Sequence, residues 1–364
     1  MPYYYCNLNE TNGTEHILCQ MLSERGWSPT RSVSEAQLSL DPSSMATIND
    51  TTTRKEKKRW IWSDKCDALS CKAMLFESLG KSDSFWPPTV VLRSVEEIDE
   101  LQVNEEVFVK HPRCSGGSGT WKAANTQEAK QLAFDVFKKC KAVVIQKAIV
   151  PALLPNGPSI FELRIWSIMR GQHLFTFNKF RAKTAHLKAI LMNRAIQSQE
   201  SDFGQHYPWN IATEDQIRLA IGPHLYDTHT RPAILKAIEA LHHSVLPHLP
   251  TDGSFFFLGL DFIVSRTEAT PYFIEANIKP SYRFYNPDAQ FPSPVVRDMA
   301  HSALVGLADL IHQDYSDFSS YINKHNEEDQ PVDGGGVALL SSFSKSNKSP
   351  HWLSHASSLL RSSH

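Results

Sequence analysis

Two stretches decide how this chain is read: Phe255-Phe256-Phe257-Leu258-Gly259-Leu260-Asp261-Phe262-Ile263-Val264 and Tyr272-Phe273-Ile274-Glu275-Ala276-Asn277. Both are apolar runs of strand length, and each carries a carboxylate where a buried strand would carry an aliphatic residue. In the second, Phe273, Glu275 and Asn277 share one face by the period-two rule. If Ser265–Pro271 is the hairpin loop and Val264 pairs with Tyr272, Asp261 lies opposite Glu275. Two clustered carboxylates repel unless a cation or a proton lies between them. Hard oxygens with room left for phosphate suit Mg²⁺, so Asp261, Glu275 and Asn277 are candidate metal ligands. The plainer alternative is a pair of rim carboxylates at strand ends, with Asn277 starting a turn.

Upstream, the apolar strand Val107–Lys110 ends in a lysine just before Ser115–Gly119, which contains Gly116, Gly117 and Gly119. Glycines let backbone N–H groups approach phosphate oxygens, and a lysine supplies a point charge. No Gly-Lys-Ser/Thr follows, so this is not a Walker A loop, and a flexible turn is the alternative. The strand edge Ile145-Gln146-Lys147-Ala148-Ile149 can offer main-chain donors and acceptors to a flat base. Beyond it, Glu162, Arg164 and Trp166 share one face of a strand Phe161–Met169. After a turn at Arg170-Gly171-Gln172, the return strand His173–Arg181 puts Phe175, Phe177, Lys179 and Arg181 on one face. A carboxylate and several cations thus line adjacent strands, as a polyphosphate with its metal requires; a solvated ion-pair ladder is the alternative.

The order of these pieces resembles the ATP-grasp ligases, and within them the tubulin tyrosine ligase-like family. The resemblance runs over about residues 60 to 315. It rests on Lys110 with the glycine loop, Gln146-Lys147-x-Ile149, Phe161-Glu162-Leu163-Arg164, Arg181, Gly259-Leu260-Asp261-Phe262 and Ile274-Glu275-Ala276-Asn277-x-x-Pro280. It implies an α+β fold in which two lobes hold a nucleotide between them, preceded by a small α/β unit. It further implies ATP and Mg²⁺ as cofactors, with Lys110, Gly116 and Gly117 at the phosphates and Gln146, Lys147 and Ile149 along the adenine. Arg164 and Arg181 would stand near the γ-phosphate, Glu162 with them, and Asp261, Glu275 and Asn277 at the metal. Such enzymes phosphorylate a carboxylate and let an amine displace the phosphate, giving an amide and ADP. The chain departs from the family at Ile160 and Glu162, which replace the lysine and aspartate of a Lys-Phe-Asp-x-Arg motif. The acceptor is therefore open: peptide, protein tail or small acid, with an amino acid or other amine as partner.

The rest of the sequence is consistent with a globular protein. The 364 residues are 41% hydrophobic, and 37 basic against 39 acidic side chains give a net charge of -2, which argues against a dedicated nucleic-acid binder. No run reaches membrane-spanning length, no leader is evident, and six scattered cysteines suit reduced thiols, so the expectation is a cytoplasmic protein without membrane contact. Expected organisation is 1–59 as an N-terminal unit plus charged linker, 60–150 as a central lobe, 151–324 as a C-terminal lobe, and 325–364 as a disordered Ser/Gly-rich tail. The stretch from Ser32 to Lys58 reads as linker. Lys183, together with Lys179, Lys188 and the run Arg54–Arg59, offers a local basic surface. Two other functions fit the same motifs: a kinase acting on a hydroxyl, and a catalytically silent nucleotide-binding scaffold.

Overall fold

The computed structural model describes residues 2–6, 14–33, 35–40, 60–63, 66–80, 85–114, 119–155, 159–177, 180–186, 210–249, 254–278, 303–313 and 337–342. They form a mixed α+β protein built on one large and one small sheet.

The N-terminal part contributes β1 (Tyr3–Tyr5), α1 (Thr14–Glu24), β2 (Ser28–Pro29), β3 (Leu38–Ser39) and β4 (Trp60–Trp62). Helix α1 buries Leu18, Met21 and Leu22, the i, i+3, i+4 stripe of an amphipathic helix, against Trp27 and Leu38. β1 pairs in parallel with β2 and β3, β3 with β4, and β4 enters the large sheet. Two expectations change here. Leu38 and Leu40, inside the stretch read as linker, are core residues; a two-residue strand is too short to show a period. Trp60–Trp62, read as the opening of the central lobe, is hydrogen-bonded into the large sheet.

After α2 (Asp67–Ser70) and α3 (Lys72–Leu79), the small sheet follows: β5 (Thr89–Leu92), α4 (Val95–Glu100), β6 (Val107–Lys110), β7 (Thr120–Ala123), α5 (Thr126–Cys140) and β8 (Val143–Lys147). Its order is β5-β8-β6-β7, antiparallel throughout. Ser94 and Glu97 form a capping box that starts α4, and Asn125 caps α5. Ala129, Ala133 and Val136 lay α5 on the sheet through small side chains. β7 is absent from the sequence reading because Thr-Trp-Lys-Ala is short and follows the glycine loop directly.

The large sheet is organised by β9 (Ser159–Arg170). β10 (His173–Phe177) and β11 (Arg181–His186) share one of its edges, with β12 (Asn210–Thr213) beyond β11. Then come α6 (Glu214–Ile221), a π-helical turn at Tyr226–Thr230, and α7 (Arg231–Val245). β13 (Ser254–Val264) takes the other edge of β9 and carries β14 (Pro271–Ile278). The expected single return strand is thus two strands, and Arg181 does not continue the strand of Phe175 and Phe177. Those two phenylalanines are buried in the core next to β4 and α1.

Helix α8, residues 303–313, closes over the N-terminal strands; Arg25 binds Asp309 at 2.7 Å and Trp27 Nε1 donates to His312 Nδ1 at 3.1 Å. Strand β15 (Val337–Ser342) pairs antiparallel with β10. Part of the tail expected to be disordered is therefore an ordered sheet edge, and its Val-Ala-Leu-Leu core explains why. The basic run at 54–59 and the remaining tail positions lie outside the described residues.

One face of β9 and β13 is largely apolar: Leu163, Ile165, Met169, Phe256, Leu258, Leu260 and Phe262 share a core with α3 and α7, and Ser167 on that face shares a hydrogen bond with Thr176. The opposite face is divided. Trp166, Ile168 and Phe257 pack with the N-terminal unit and α8, whereas Glu162, Arg164 and Asp261 face the small sheet. Among the described residues no helix is long and apolar enough to cross a membrane, and all six cysteines are unbridged.

Candidate functional site

Antiparallel register sets Arg164 opposite both Arg181 and Asp261, and Glu162 opposite Lys183. Directly opposed residues put their side chains on the same face, so a charged ladder crosses β11, β9 and β13. Arg164 grips Asp261 with two parallel bonds, Nε to Oδ1 at 2.5 Å and Nη2 to Oδ2 at 2.7 Å. Lys183 donates to Glu162 Oε1 at 2.8 Å and stands 3.4 Å from both oxygens of Asp261. Asp261 is 0% exposed, a position a charged carboxylate keeps only with cations around it.

Gly259 makes room for this grip. A Cβ there would stand 2.8 Å from Arg164 Nη1 and 2.9 Å from its Cδ. Glycine weakens a strand interior; here it lets the arginine lie flat on the backbone.

The hairpin β13–β14 differs from its expected register. Val264 pairs with Pro271, Ile263 with Tyr272 and Phe262 with Phe273, one step off the expected Val264–Tyr272 pairing. A bulge between Asp261 and Phe262 then absorbs one extra residue, Ile274, and Asp261 pairs with Glu275 after all. As a result Phe273 does not share a face with Glu275 and Asn277. It packs into the apolar core against Phe262, ring centroids 5.5 Å apart, while Asn277 donates Nδ2–H to Asp261 Oδ2 at 2.9 Å and to Glu275 Oε1 at 3.4 Å.

Two lysines come from the other side. Lys110, the last residue of β6, is 5% exposed and donates to Gln146 Oε1 at 2.6 Å; Gln146 in turn donates to Thr89 Oγ1 at 3.0 Å. Burial pushes the Lys110 ammonium down to about 8; Glu275 and Glu162 oppose that shift and Lys72 adds to it. Lys72, the first residue of α3, donates to the Cys114 carbonyl and stands 3.5 Å from Glu275 Oε2. Burial raises the Glu275 carboxyl, but Lys72, Lys110, Lys183 and Arg164 together outweigh it and hold the group below the usual carboxylate range. Glu162 goes the other way: burial raises it, Asp261 and Glu275 push it further, and Lys183 only partly compensates.

The structure thus brings together Lys110, Gln146, Glu162, Arg164, Arg181, Asp261, Glu275 and Asn277. The Lys147 ammonium instead pairs with Glu105 at 2.6 Å on the outer surface, while its N–H donates to the Pro88 carbonyl. Ile149 is half-buried just past the strand end. Gly116 and Gly117 lie outside the described residues. Sequence reasoning missed Lys72, which sits on a buried helix face with no motif around it, and misplaced Lys183. The latter is not part of a basic surface but 7% exposed between two carboxylates; its position two residues after Arg181 on one strand carried that signal.

The donor set of Glu275, Asp261 and Asn277, two carboxylates and an amide, fits a hard divalent cation. Among the described residues no cluster of three or more His, Cys, Asp or Glu side chains is arranged to hold a metal. Asp261 is the ligand most committed elsewhere, to Arg164, and Glu275 the one most readily shared. Comparison with family models and with curated proteins gives no match to this chain.

Proposed function

We propose that this chain is an ATP-grasp ligase, similar to the tubulin tyrosine ligase-like enzymes. It would use ATP and Mg²⁺ to join an amino acid or other amine to the carboxylate of a peptide, protein tail or small acid. The observation that carries the proposal is a cationic excess between the two sheets. Among the described residues, the cations Lys72, Lys110, Arg164, Arg181 and Lys183 share this region with the carboxylates Glu162, Asp261 and Glu275, which are already paired with Lys183, Arg164 and Lys72 respectively. Such an excess at a water-poor position favours a multiply charged anion.

In this reading Lys110 and Lys72 receive phosphate oxygens from the small-sheet side, and the edge of β8 from Gln146 to Ile149 lies along the adenine. Arg164 and Arg181 stabilise charge on the phosphoryl group as it moves to the acceptor carboxylate; the amine then attacks the acyl carbon, the acyl C–O bond breaks, and phosphate leaves with its electron pair. Glu162 holds Lys183 against the ladder, so that neither is a solvated ion. Glu275 and Asn277, with Asp261 behind them, would hold Mg²⁺, which supplies neutralisation of phosphate oxygens when bound.

The test is ADP release by the full chain with Mg²⁺-ATP across a panel of amino acids and carboxylic acids, alongside Glu275→Gln. Release that needs both an amine and an acid, and that falls by about a hundredfold or more in the variant, is the expected result. Equal activity in both proteins, or no nucleotide binding by either, would overturn the proposal. A product that keeps the γ-phosphate on a hydroxyl would make the protein a kinase.

A further inference from the structure

We infer that Glu214 is a positioning residue for Arg181, held in place by the π-helical turn between α6 and α7. The inference rests on the proposed role of Arg181 at a nucleotide triphosphate. Glu214 opens α6 directly after Thr213, the cross-strand partner of Arg181. Its two oxygens do different work. Oε1 accepts from the Tyr226 hydroxyl at 2.7 Å and from Arg231 Nε at 3.2 Å; Oε2 accepts from the Phe180 backbone N–H at 3.1 Å.

The π turn explains why one carboxylate can meet both donors. In an α-helix, residues five apart point about 140° away from each other. Here the Arg231 N–H bonds to the Tyr226 carbonyl, an i→i+5 link that turns both side chains to one side. The Arg231 guanidinium also lies 5.1 Å from the centre of the Phe180 ring. Phe180 is 0% exposed, and its carbonyl receives Arg181 Nη1 at 2.9 Å. Phe180 is therefore gripped at its N–H, its ring and its carbonyl, and the last of these grips is the Arg181 guanidinium itself. Phe180 immediately precedes β11, so whatever fixes it fixes where Arg181 enters the charged face. Glu214 is a half-buried carboxylate whose two oxygens meet three donors, more than is needed to start a helix, and such a shared acceptor is an effective way to hold one peptide.

The experiment is a calorimetric titration of the full chain with Mg²⁺-ATP and with Mg²⁺-ADP, for the unsubstituted protein, Glu214→Ala, Arg181→Ala and the double variant. The expected result is a loss of about tenfold in ATP affinity for Glu214→Ala, ADP affinity held within about twofold, and no further loss in the double variant. Equal losses for both nucleotides, or additive losses in the double variant, would make Glu214 merely structural and overturn the inference. Should Glu214→Ala not fold, Glu214→Gln, which keeps an oxygen for the Phe180 N–H, is expected to show the same preference in weaker form, and no preference would count against it. If the unsubstituted protein binds neither nucleotide, the proposed function fails while the clamp is still decided by amide exchange. Phe180 exchanging about tenfold faster in the Glu214 variant supports the clamp, and an unchanged rate removes it.

Discussion

Asp261 and Glu275 face each other across β13 and β14 only because one extra residue, Ile274, is bulged out between them and the hairpin turn. From Val264–Pro271 to Phe262–Phe273 the register would pair Asp261 with Ile274 and send Glu275 to the opposite, apolar face. The bulge reverses that parity within one residue. Deleting Ile274 is therefore expected to remove the bulge and leave a regular ladder, in which Glu275 directly follows Phe273 and still meets Asp261 on the polar face. The measurement is Mg²⁺-ATP titration with far-ultraviolet circular dichroism. Binding should persist along with most of the sheet signal; loss of binding with the sheet signal retained would mean that the bulge does more than set which face Glu275 takes.

Gly259→Ala tests the space over which Arg164 lies. The new Cβ would stand 2.8 Å from Nη1 and 2.9 Å from Cδ of that side chain, so the guanidinium must move off Asp261 or the strands must part. Overpacking of this kind costs about 1–3 kcal/mol. Urea unfolding should show a lower midpoint with the slope retained.

Asp261→Asn leaves Arg164 and Lys183 facing a group without charge inside the protein. Removing one member of a buried ion pair costs about 3–5 kcal/mol. The same denaturant measurement should place this variant below Gly259→Ala. An Arg164→Met, Asp261→Leu double variant should recover much of the stability and none of the anion binding, because an apolar pair tolerates burial better than a single charge.

The Lys110 ammonium, lowered by burial to about 8 from an ordinary 10.5, gives two opposite pH dependences. Between those values the unfolded chain binds the proton that the folded chain has released, so this group's contribution to stability rises as pH increases through that window. Anion binding runs the other way, since the cation is present below about 8 and lost above it. Polyphosphate affinity should therefore fall from pH 7 to pH 9, and Lys110→Arg should flatten the decline, since arginine stays charged. An equally steep decline in the Lys110→Arg protein would assign the titration to another group.

Truncation after Asn326 removes β15, which pairs with β10 from Phe177–Val337 to His173–Ser342. A bare β10 edge loses those ladder bonds and exposes an apolar strand. The expected result is a lower melting temperature, by a cost of about 2 kcal/mol, and faster aggregation. A truncated chain as stable as the intact one would show that β15 contributes little.

Long, strongly patterned segments were legible in the sequence: β9, β13, α5 and α7 follow their apolar periods, and the charged residues interrupting those periods led to Glu162, Arg164, Asp261 and Glu275. Three things were not. A bulge leaves no mark in a single strand's alternation, so Asp261–Glu275 was reached through a register that the hairpin does not have, and Phe273 was put on the wrong face. Lys72 and Lys183 look like surface lysines until the carboxylates that bury them are placed in space. Glu214 reads as an ordinary first-turn acid, because the π turn that gives it its partners is set by the tertiary contacts of Tyr226 and Arg231, not by local pattern.

The central claim is that the cationic face between the sheets holds a nucleotide triphosphate with its metal. Its most direct measurement is calorimetric titration of Mg²⁺-ATP into the unsubstituted chain and into Lys110→Ala. The account predicts saturable one-to-one binding by the first and a loss of about tenfold or more in the second, the worth of one desolvated charge-assisted bond. Absence of binding by the unsubstituted chain, or equal affinity in the two proteins, would contradict it.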